Sequence, residues 1–477
     1  MQFLVMVGLL FTAFSKAQDC PAVIEKVGEI AGDCQSIQLT ALHDALDRDF
    51  LYVAAKSGGL LVYDIQDPDH PQLISTIPVA ALSGLEVMAL EQQGYFLYLA
   101  LGNHFGTAIQ ASGLAVIGME NPSNPEVRDV WMDDSSRGGG GVVKIQANYA
   151  FLGGMINGIY LIDISSQDSL RLISQFKPSI DFPVPSPPNA KLYNARGIAL
   201  RDNLAFVCFD AGGLRVVDYS DPAQPIEIGH YSNPALSVPV NLPRAYNHVL
   251  LNGDLAYVSV DYCGVEILDV RNPRSPVLLG WWNPYHCPGN NWFSSPSHTN
   301  EMAFDPEGQI LFIATGKSDL IALDVRDPAH PDSCVGYGGV GNGIGTWGIS
   351  RYKSNLYLGY LCTLGIPFTS NYSGTHLLKY AAPSTIRQEV YVEPLKAYYN
   401  PIAREIQVDW PADWWNRPVS IYLIDPLGRM SFFWDGRVQP DQALTLEDRS
   451  TEGIYFLMVR SQSGPPGYAK VWIPSHR

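Results

Sequence analysis

The residues best suited to hold a ligand recur at one position, just before a series of short apolar segments. Each short apolar segment is followed by a second apolar segment whose pattern is more regular. When the copies are aligned on that second segment, the residues before the first segment form a column: Glu86, Gly141, Arg196, Asn247, Asn300 and Trp347, with His248, His298 and Glu301 beside it. Their guanidinium, amide, imidazole and carboxyl groups donate and accept hydrogen bonds, and indole offers an apolar face. The column predicts a polar ligand site, the alternative being a channel mouth that holds only water.

Enzyme motifs are absent from the sequence, which contains no GxSxG, HExxH or P-loop pattern. We therefore predict no catalytic residue and no cofactor. The alternative is a polysaccharide-acting hydrolase or lyase that uses carboxylates such as Glu86, Asp261 and Glu301 with His298, although the sequence does not fix their separation. His286 and His298 lack a third ligand, so we also predict no metal.

Residues 281–297 form an aromatic segment in which Trp281, Trp282, Tyr285, Trp292 and Phe293 surround a cysteine. Such a loop offers stacking area for a sugar or a binding hot spot for a protein, and Trp292 is the candidate residue. Equally, it fits a lid that packs on its own aromatic rings and is held by a Cys263–Cys287 disulfide. Both interpretations stay open.

These segments belong to a repeat. Residues 212–225 read GGLRVVDYSDPAQP, with further copies at 58–71, 112–125, 157–170, 263–276, 318–331 and, eroded, at 374–387. The copies are 45 to 55 residues apart, which indicates a repeat architecture. The unit at 194–229 contains four strand-length runs separated by turn residues. Four antiparallel strands per repeat predict an all-β fold, a β-propeller of about seven four-stranded blades.

In a propeller, the first strand of each blade lines the central channel. The insertions at 178–193, 231–243, 281–297 and 361–373, with shorter ones at 102–112 and 134–141, are then expected on one face, where binding is concentrated. Residues 23–30 resemble a fourth strand, so they could complete the last blade. The repeated aspartate is assigned to turn formation rather than to a metal, because it precedes a turn and two copies lack it.

The core of the copies, GL-x-V-x-D-[IV]-x-[DN]-P-x-x-P, resembles the LVIVD repeat, a β-propeller repeat of exported bacterial proteins. The resemblance covers roughly residues 20 to 390, and we place the propeller domain at 19–390. It implies the fold and export. It implies no particular activity, since propellers carry unrelated functions.

After Tyr391 the period ends, and residues 397–477 alternate like the strands of a small β-sandwich. This segment resembles the C-terminal sorting domain of the type IX secretion system, and the matching positions are Asn400, Pro401, Asp425, Gly428, Arg429, Gly453 and Tyr455. The family usually has another proline where this chain has Tyr399. The resemblance implies the type IX secretion machinery as a partner. An Ig-like carbohydrate-binding or spacer module is the alternative.

Residues 1–17 combine an apolar run with small residues Ser15 and Ala17, typical of a signal peptide. We expect a protein that is secreted or held on the outer surface of the outer membrane, with no membrane span. The net charge of −16 argues against a nucleic-acid partner. The expected ligand is a glycan or a protein.

Export permits disulfides among the seven cysteines, and their odd number leaves at least one unpaired within the chain. Cys20 with Cys34 is the preferred pair, because it would close a loop of roughly 15 residues worth about 3 kcal/mol. Cys263 with Cys287 is the second candidate.

Overall fold

The computed structural model describes residues 23–103, 110–187, 189–236, 245–290, 292–339, 343–364, 369–381, 393–400, 403–424, 430–440, 442–445, 453–461 and 467–473. The chain divides into two compact units between residues 383 and 384. Residues 1–17, Cys20 and residues 237–244, which include most of the 231–243 insertion, lie outside the described residues. Short 3-10 turns occur at Val79–Leu82, Ala190–Leu192, Pro234–Leu236, Gly316–Ser318 and Ala412–Trp414.

Seven four-stranded antiparallel sheets make up the first unit, which confirms a seven-bladed propeller. The first described strand is β1 (Ile24–Ala31). Blades one to three are β2 (Thr40–His43), β3 (Phe50–Ala54), β4 (Leu60–Asp64), β5 (Gln72–Ile77); β6 (Val87–Gln93), β7 (Phe96–Leu101), β8 (Ser112–Gly118), β9 (Glu126–Asp133); and β10 (Val142–Gln146), β11 (Tyr149–Gly153), β12 (Ile159–Asp163), β13 (Arg171–Phe176). Blades four to six are β14 (Gly197–Arg201), β15 (Leu204–Cys208), β16 (Leu214–Asp218), β17 (Ile226–Tyr231); β18 (Tyr246–Asn252), β19 (Leu255–Val260), β20 (Val265–Asp269), β21 (Val277–Trp282); and β22 (Met302–Asp305), β23 (Ile310–Ala314), β24 (Leu320–Asp324), β25 (Asp332–Tyr337). Blade seven contains β26 (Thr346–Tyr352), β27 (Asn355–Tyr360) and β30 (Gly374–Tyr380), with a small hairpin of β28 (Thr363–Leu364) and β29 (Thr369–Ser370) before β30.

The ring is closed by the N-terminal strand, as predicted from residues 23–30. Strand β1 pairs antiparallel with β30 and so becomes the outer strand of blade seven. A disulfide between Cys34 and Cys362, 328 residues apart in the chain, joins the same two regions. The predicted Cys20–Cys34 pair is therefore wrong: Cys34 follows β1 directly, and β1 brings it to the last blade. Cys334 is also disulfide-bonded, and Cys208 is a buried free thiol.

The turn after each third strand explains the repeated aspartate. In five blades its Oδ1 accepts the backbone N–H two residues later, at distances of 2.8 to 3.0 Å, from Asp64, Asp163, Asp218, Asp269 and Asp324. The prediction that this residue shapes the turn is confirmed, because a side-chain acceptor at this position replaces a missing backbone partner.

The proline of the Asp-Pro or Asn-Pro turn contacts the neighbouring blade. Ser75 Oγ donates to the carbonyl of Pro122 and Ser174 Oγ to that of Pro222, both at 2.6 Å. Gly28, Gly229 and Gly280 occupy the same outer-strand position, where an added Cβ would overlap the carbonyl oxygen of Pro68, Pro273 and Pro328, respectively. The pairing register of each outer strand shifts at this position, which is occupied by Gly28, Ser75, Ser174, Gly229 and Gly280. The repeat therefore joins successive blades through this carbonyl.

Blade three lacks both prolines and makes this contact differently. Gln167 and Leu170 stand in their places, and the N–H of Leu170 donates to Asp129 Oδ2 of blade two at 2.6 Å. Asp129 occupies the register-shift position of β9. On the outer strand, the carboxylate of Asp129 takes the place of the serine or glycine found in other blades. In the turn, Leu170 takes the place of the second proline and supplies the backbone N–H that proline lacks.

The second unit consists of two sheets, which confirms the predicted small β-sandwich. A five-stranded sheet has the order β31 (Glu393–Pro394), β38 (Gly467–Ile473), β37 (Gly453–Ser461), β34 (Pro418–Ile424), β35 (Met430–Arg437). A three-stranded sheet has the order β32 (Lys396–Asn400), β33 (Glu405–Asp409), β36 (Ala443–Thr445). Its core includes Ile406, Trp414, Ile421, Leu457 and Ile473.

The inter-blade carbonyl contact predicts the effect of adding one methyl group. We expect Gly280→Ala to destabilise the propeller by about 1–3 kcal/mol, because its Cβ meets the Pro328 carbonyl and overpacking costs that much. Gly339→Ala is the matched control, since no atom lies within 4 Å of its added Cβ. Urea unfolding measures both, and equal stability of the two variants would contradict the contact's role.

Candidate functional site

A small cavity lies on the axis of the ring. Its volume is about 80 Å³, and all seven blades contribute through the first strand or the residues just before it. The cavity is lined by Thr40, Ala89, Leu90, Gly141, Val142, Val143, Lys144, Met155, Arg196, Asn247, His248, Asn300, Glu301 and Trp347. Seven of the predicted column residues therefore converge on one cavity: Gly141, Arg196, Asn247, His248, Asn300, Glu301 and Trp347. Whether they bind a ligand stays a prediction.

Two asparagines hold successive inner strands together at this cavity. Asn247 Nδ2 donates to the carbonyl of Thr299 in the next blade, and Asn300 Nδ2 donates to that of Thr346, each at 2.9 Å. The buried Oδ1 of Asn247 has no hydrogen-bond partner among the described residues. An acceptor left without a bond in a buried position is costly unless water or a ligand completes it.

Lys144 is the cavity residue that the column missed. It lies two residues into β10, and its Nζ is 2.8 Å from Glu91 Oε2. The two side chains are 32% and 27% exposed, so channel solvent reaches them although the ring surrounds them. The charge of Glu91 raises the pKa of Lys144 above its ordinary value. A lysine in an otherwise apolar inner strand was the available sequence signal.

Glu301 and His248 are shifted in opposite directions by the same cause. Burial raises the pKa of Glu301 to about 7, against the opposing charge of Lys144. Burial lowers the pKa of His248 to about 3, and Lys144 adds to this effect. His248 Nδ1 accepts the N–H of Met302 at 3.3 Å, which leaves the ring proton on Nε2. Near neutral pH the cavity thus contains a neutral imidazole and a carboxyl that can gain or lose a proton.

Arg196 brings a second cation to the cavity. Its Nε lies 3.2 Å from Asp210 Oδ2, which also accepts Asn194 Nδ2 at 2.7 Å. Asp210 is 3% exposed and does not line the cavity, and burial raises its pKa. Removing Arg196 would therefore strand a buried carboxylate, so Arg196→Ala is expected to cost stability as well as any binding.

Glu86 lies apart from the cavity lining. Its Oε2 is 2.6 Å from Lys56 Nζ, which also donates to Asn103 Oδ1 at 2.8 Å. Lys56 follows the second strand of blade one and forms a β-bridge with Val87 of blade two. Its ion pair with Glu86 thus joins two blades.

His298 and Trp292 also lie apart from the cavity lining, and both bind the buried carboxylate of Asp261. His298 Nδ1 is 2.6 Å from Asp261 Oδ1, and Trp292 Nε1 donates to Asp261 Oδ2 at 2.7 Å. The predicted Cys263–Cys287 disulfide is present, and Lys317 Nζ donates to the carbonyls of Phe293 and Ser295. These contacts favour the packed lid over an open aromatic platform for the 281–297 segment.

Three of the residues that match the sorting-domain pattern are described. Asn400 ends β32, and its Oδ1 accepts the N–H of Ala403 at 3.2 Å. Gly453 begins β37, and Tyr455 is buried in the sandwich core. Pro401, Asp425, Gly428 and Arg429 lie outside the described residues. The sorting role of these positions stays a prediction.

No group of three or more His, Cys, Asp or Glu side chains is placed to hold a metal ion among the described residues. Within those residues, no helix is long and apolar enough to cross a membrane.

The fold and cavity define a seven-bladed β-propeller built from sequence repeats. The model of the LVIVD repeat family matches residues 45–78, 138–177, 194–233 and 244–283, so four blades carry LVIVD repeats. The structure is similar to the WD40 repeats of RRP9, with a TM-score of 0.53 and 12% identity over 76% of this chain and 99% of that one. It is also similar to the Cps50 (Swd1) propeller of Myceliophteria thermophila, with a TM-score of 0.50 and 12% identity over 75% and 99%. No curated protein matches the chain.

The lid contacts predict how Trp292 acts. We expect Trp292→Phe to destabilise the protein by about 1–2 kcal/mol, because Asp261 loses a buried hydrogen bond from the indole N–H. Trp472→Phe is the matched control, since it makes the same change at a tryptophan that is 60% exposed. Thermal unfolding of both variants tests this. A Trp292→Phe melting temperature equal to that of the wild type would show that the lid is not held by this bond.

Proposed function

We propose that this chain is an exported propeller that binds a glycan or a protein through its loop-rich face, with the channel cavity as the contact site. The observation that carries the proposal is the convergence of seven of the predicted residues, from five blades, on one cavity. Blades built to one plan need identical residues for turns and contacts. Residues that differ from blade to blade at the channel are therefore the ones free to recognise a ligand.

A glycan end is favoured over a protein surface at this cavity. The space is small, and it combines donors and an acceptor with the indole of Trp347. Hydroxyl groups suit mixed donors and acceptors, whereas an aromatic ring stacks on a sugar face.

Export and surface location belong to the same proposal. The signal-like residues 1–17 and the sorting-like pattern of the sandwich support passage through the type IX machinery. Mass spectrometry of protein recovered from the culture medium or cell surface tests this. We expect a mature N-terminus after Ala17 and loss of the sandwich. A cell-retained chain that begins at Met1 and ends at Arg477 would contradict it.

A glycan array probed with the full chain tests the binding function. We expect a glycan hit that Trp347→Ala weakens at least tenfold, because the lost indole lines the cavity. Trp415→Ala is the matched control, since Trp415 is 45% exposed and lies in the other unit. Melting temperatures of both variants check their folding. An array on which no glycan binds, or a hit that both variants retain equally, would contradict a glycan as the ligand of this cavity.

The second candidate, a polysaccharide-acting hydrolase or lyase, draws on Glu301. A carboxyl with a pKa of about 7 in a cavity has the property of a general acid. His298 would have no part in it, because it is bonded to Asp261 outside the cavity lining. Turnover of a polysaccharide panel that is lost in Glu301→Gln would favour this candidate, and a panel without turnover would remove it.

A further inference from the structure

The charges that face the cavity are unequal. Lys144 and Arg196 both line it, whereas their carboxylate partners Glu91 and Asp210 do not. Among the described residues of the lining, Glu301 is the one carboxyl. A ligand in the cavity would therefore contact the two cations, Lys144 and Arg196, without contacting the carboxylates that pair with them. This contrasts with the chain as a whole, whose net charge is −16.

The remaining polar groups add directed hydrogen bonding. His248 carries its proton on Nε2, because its Nδ1 is used by Met302. Its pKa of about 3 keeps the ring neutral above pH 5, so it acts as a constant donor. Asn247 also lines the cavity, and a hydroxyl that reached its buried, unpartnered Oδ1 would complete that acceptor. Two cations, a fixed donor and an acceptor together match a carboxylate that has a hydroxyl group nearby.

We propose that the cavity binds the carboxylate of a small hydroxy acid, either free or as the terminal residue of an acidic glycan, and that Glu301 takes up a proton as it binds. This inference rests on the proposed function and specifies its ligand. The size of the cavity, about 80 Å³, admits one acidic group and a few further atoms rather than a chain segment.

The charge of Glu301 controls the affinity of the cavity for a carboxylate. When it is ionised, it competes for Lys144 and repels a carboxylate; when it is protonated, it does neither. Its pKa of about 7 lies in the working range, and a bound anion raises it further. The charged and titratable groups that face it are Lys144, Arg196 and His248, with Glu91 behind Lys144. Lys144 stays charged between pH 6 and 8 because its pKa is raised, and His248 stays neutral because its pKa is lowered to about 3. Affinity is therefore expected to fall as pH rises through 7.

Isothermal titration of the full chain with glucuronate, gluconate, an oligosaccharide ending in glucuronate, and glucose tests the inference. We expect the acids to bind and glucose not to bind. The wild type should bind an acid roughly tenfold more tightly at pH 6 than at pH 8, following the protonated fraction of a group with a pKa of about 7. Titrations in buffers of different ionisation enthalpy should show proton uptake. Gluconate bound more tightly than the oligosaccharide assigns a free acid, and the reverse order assigns a glycan end.

Two variants separate charge from folding. Glu301→Gln should bind the acid at pH 8 as tightly as the wild type does at pH 6, and its affinity should not change with pH. Lys144→Met should weaken binding at least tenfold, with the exposed Lys191→Met as its matched control. Since Glu301→Gln predicts a gain, loss of folding cannot imitate it.

Three results would overturn the inference: glucose binding as tightly as glucuronate, a wild-type affinity for the acid that is independent of pH, or no binding of any acid probe. If the glycan array still gives a neutral glycan that Trp347→Ala weakens, the proposed function stands and only its acidic ligand is wrong. If the array is also blank, both fail.

Discussion

Closure of the ring is the constraint on which the rest of this structure depends. Seven blades line one channel only when the last sheet is bonded to the start of the chain, and here β1 supplies the outer strand of blade seven. The disulfide from Cys34 to Cys362 makes the same connection covalently. Cavity residues from all seven blades, from Thr40 of blade one to Trp347 of blade seven, share a site because the ring closes.

Much of this fold could be predicted from the sequence, because each blade repeats the same turn chemistry. The period predicted seven blades, and residues 23–30 predicted the closing strand. The contact between the turn proline and the next blade was not predicted. It joins residues 40 to 48 positions apart, such as Gly229 and Pro273, and neither of these two has a side chain that signals a partner. Once seen, Asp129 opposite Leu170 fits the same rule.

The site was predictable only as far as backbone position determines it. Residues aligned on the start of the first strand reached the cavity, because every blade places that position at the channel. Glu86, His298 and Trp292 did not, since their partners Lys56 and Asp261 hold them between blades or under the lid. Lys56 and Asp261 both have positive φ and form bridges to the next blade, features that no local pattern reveals. Lys144 lines the cavity but was not predicted, because it lies inside β10, among apolar residues that indicated only a buried strand.

The blades therefore share the residues that build the ring, while recognition belongs to the residues that differ at its axis. A crystal structure of the full chain soaked with a ligand identified on the glycan array tests this division most directly. The account predicts ligand density on the axis, in contact with residues from several blades, including Lys144, Arg196 and Trp347. Density confined to the outer strands or to the sandwich, with an empty cavity, would contradict it.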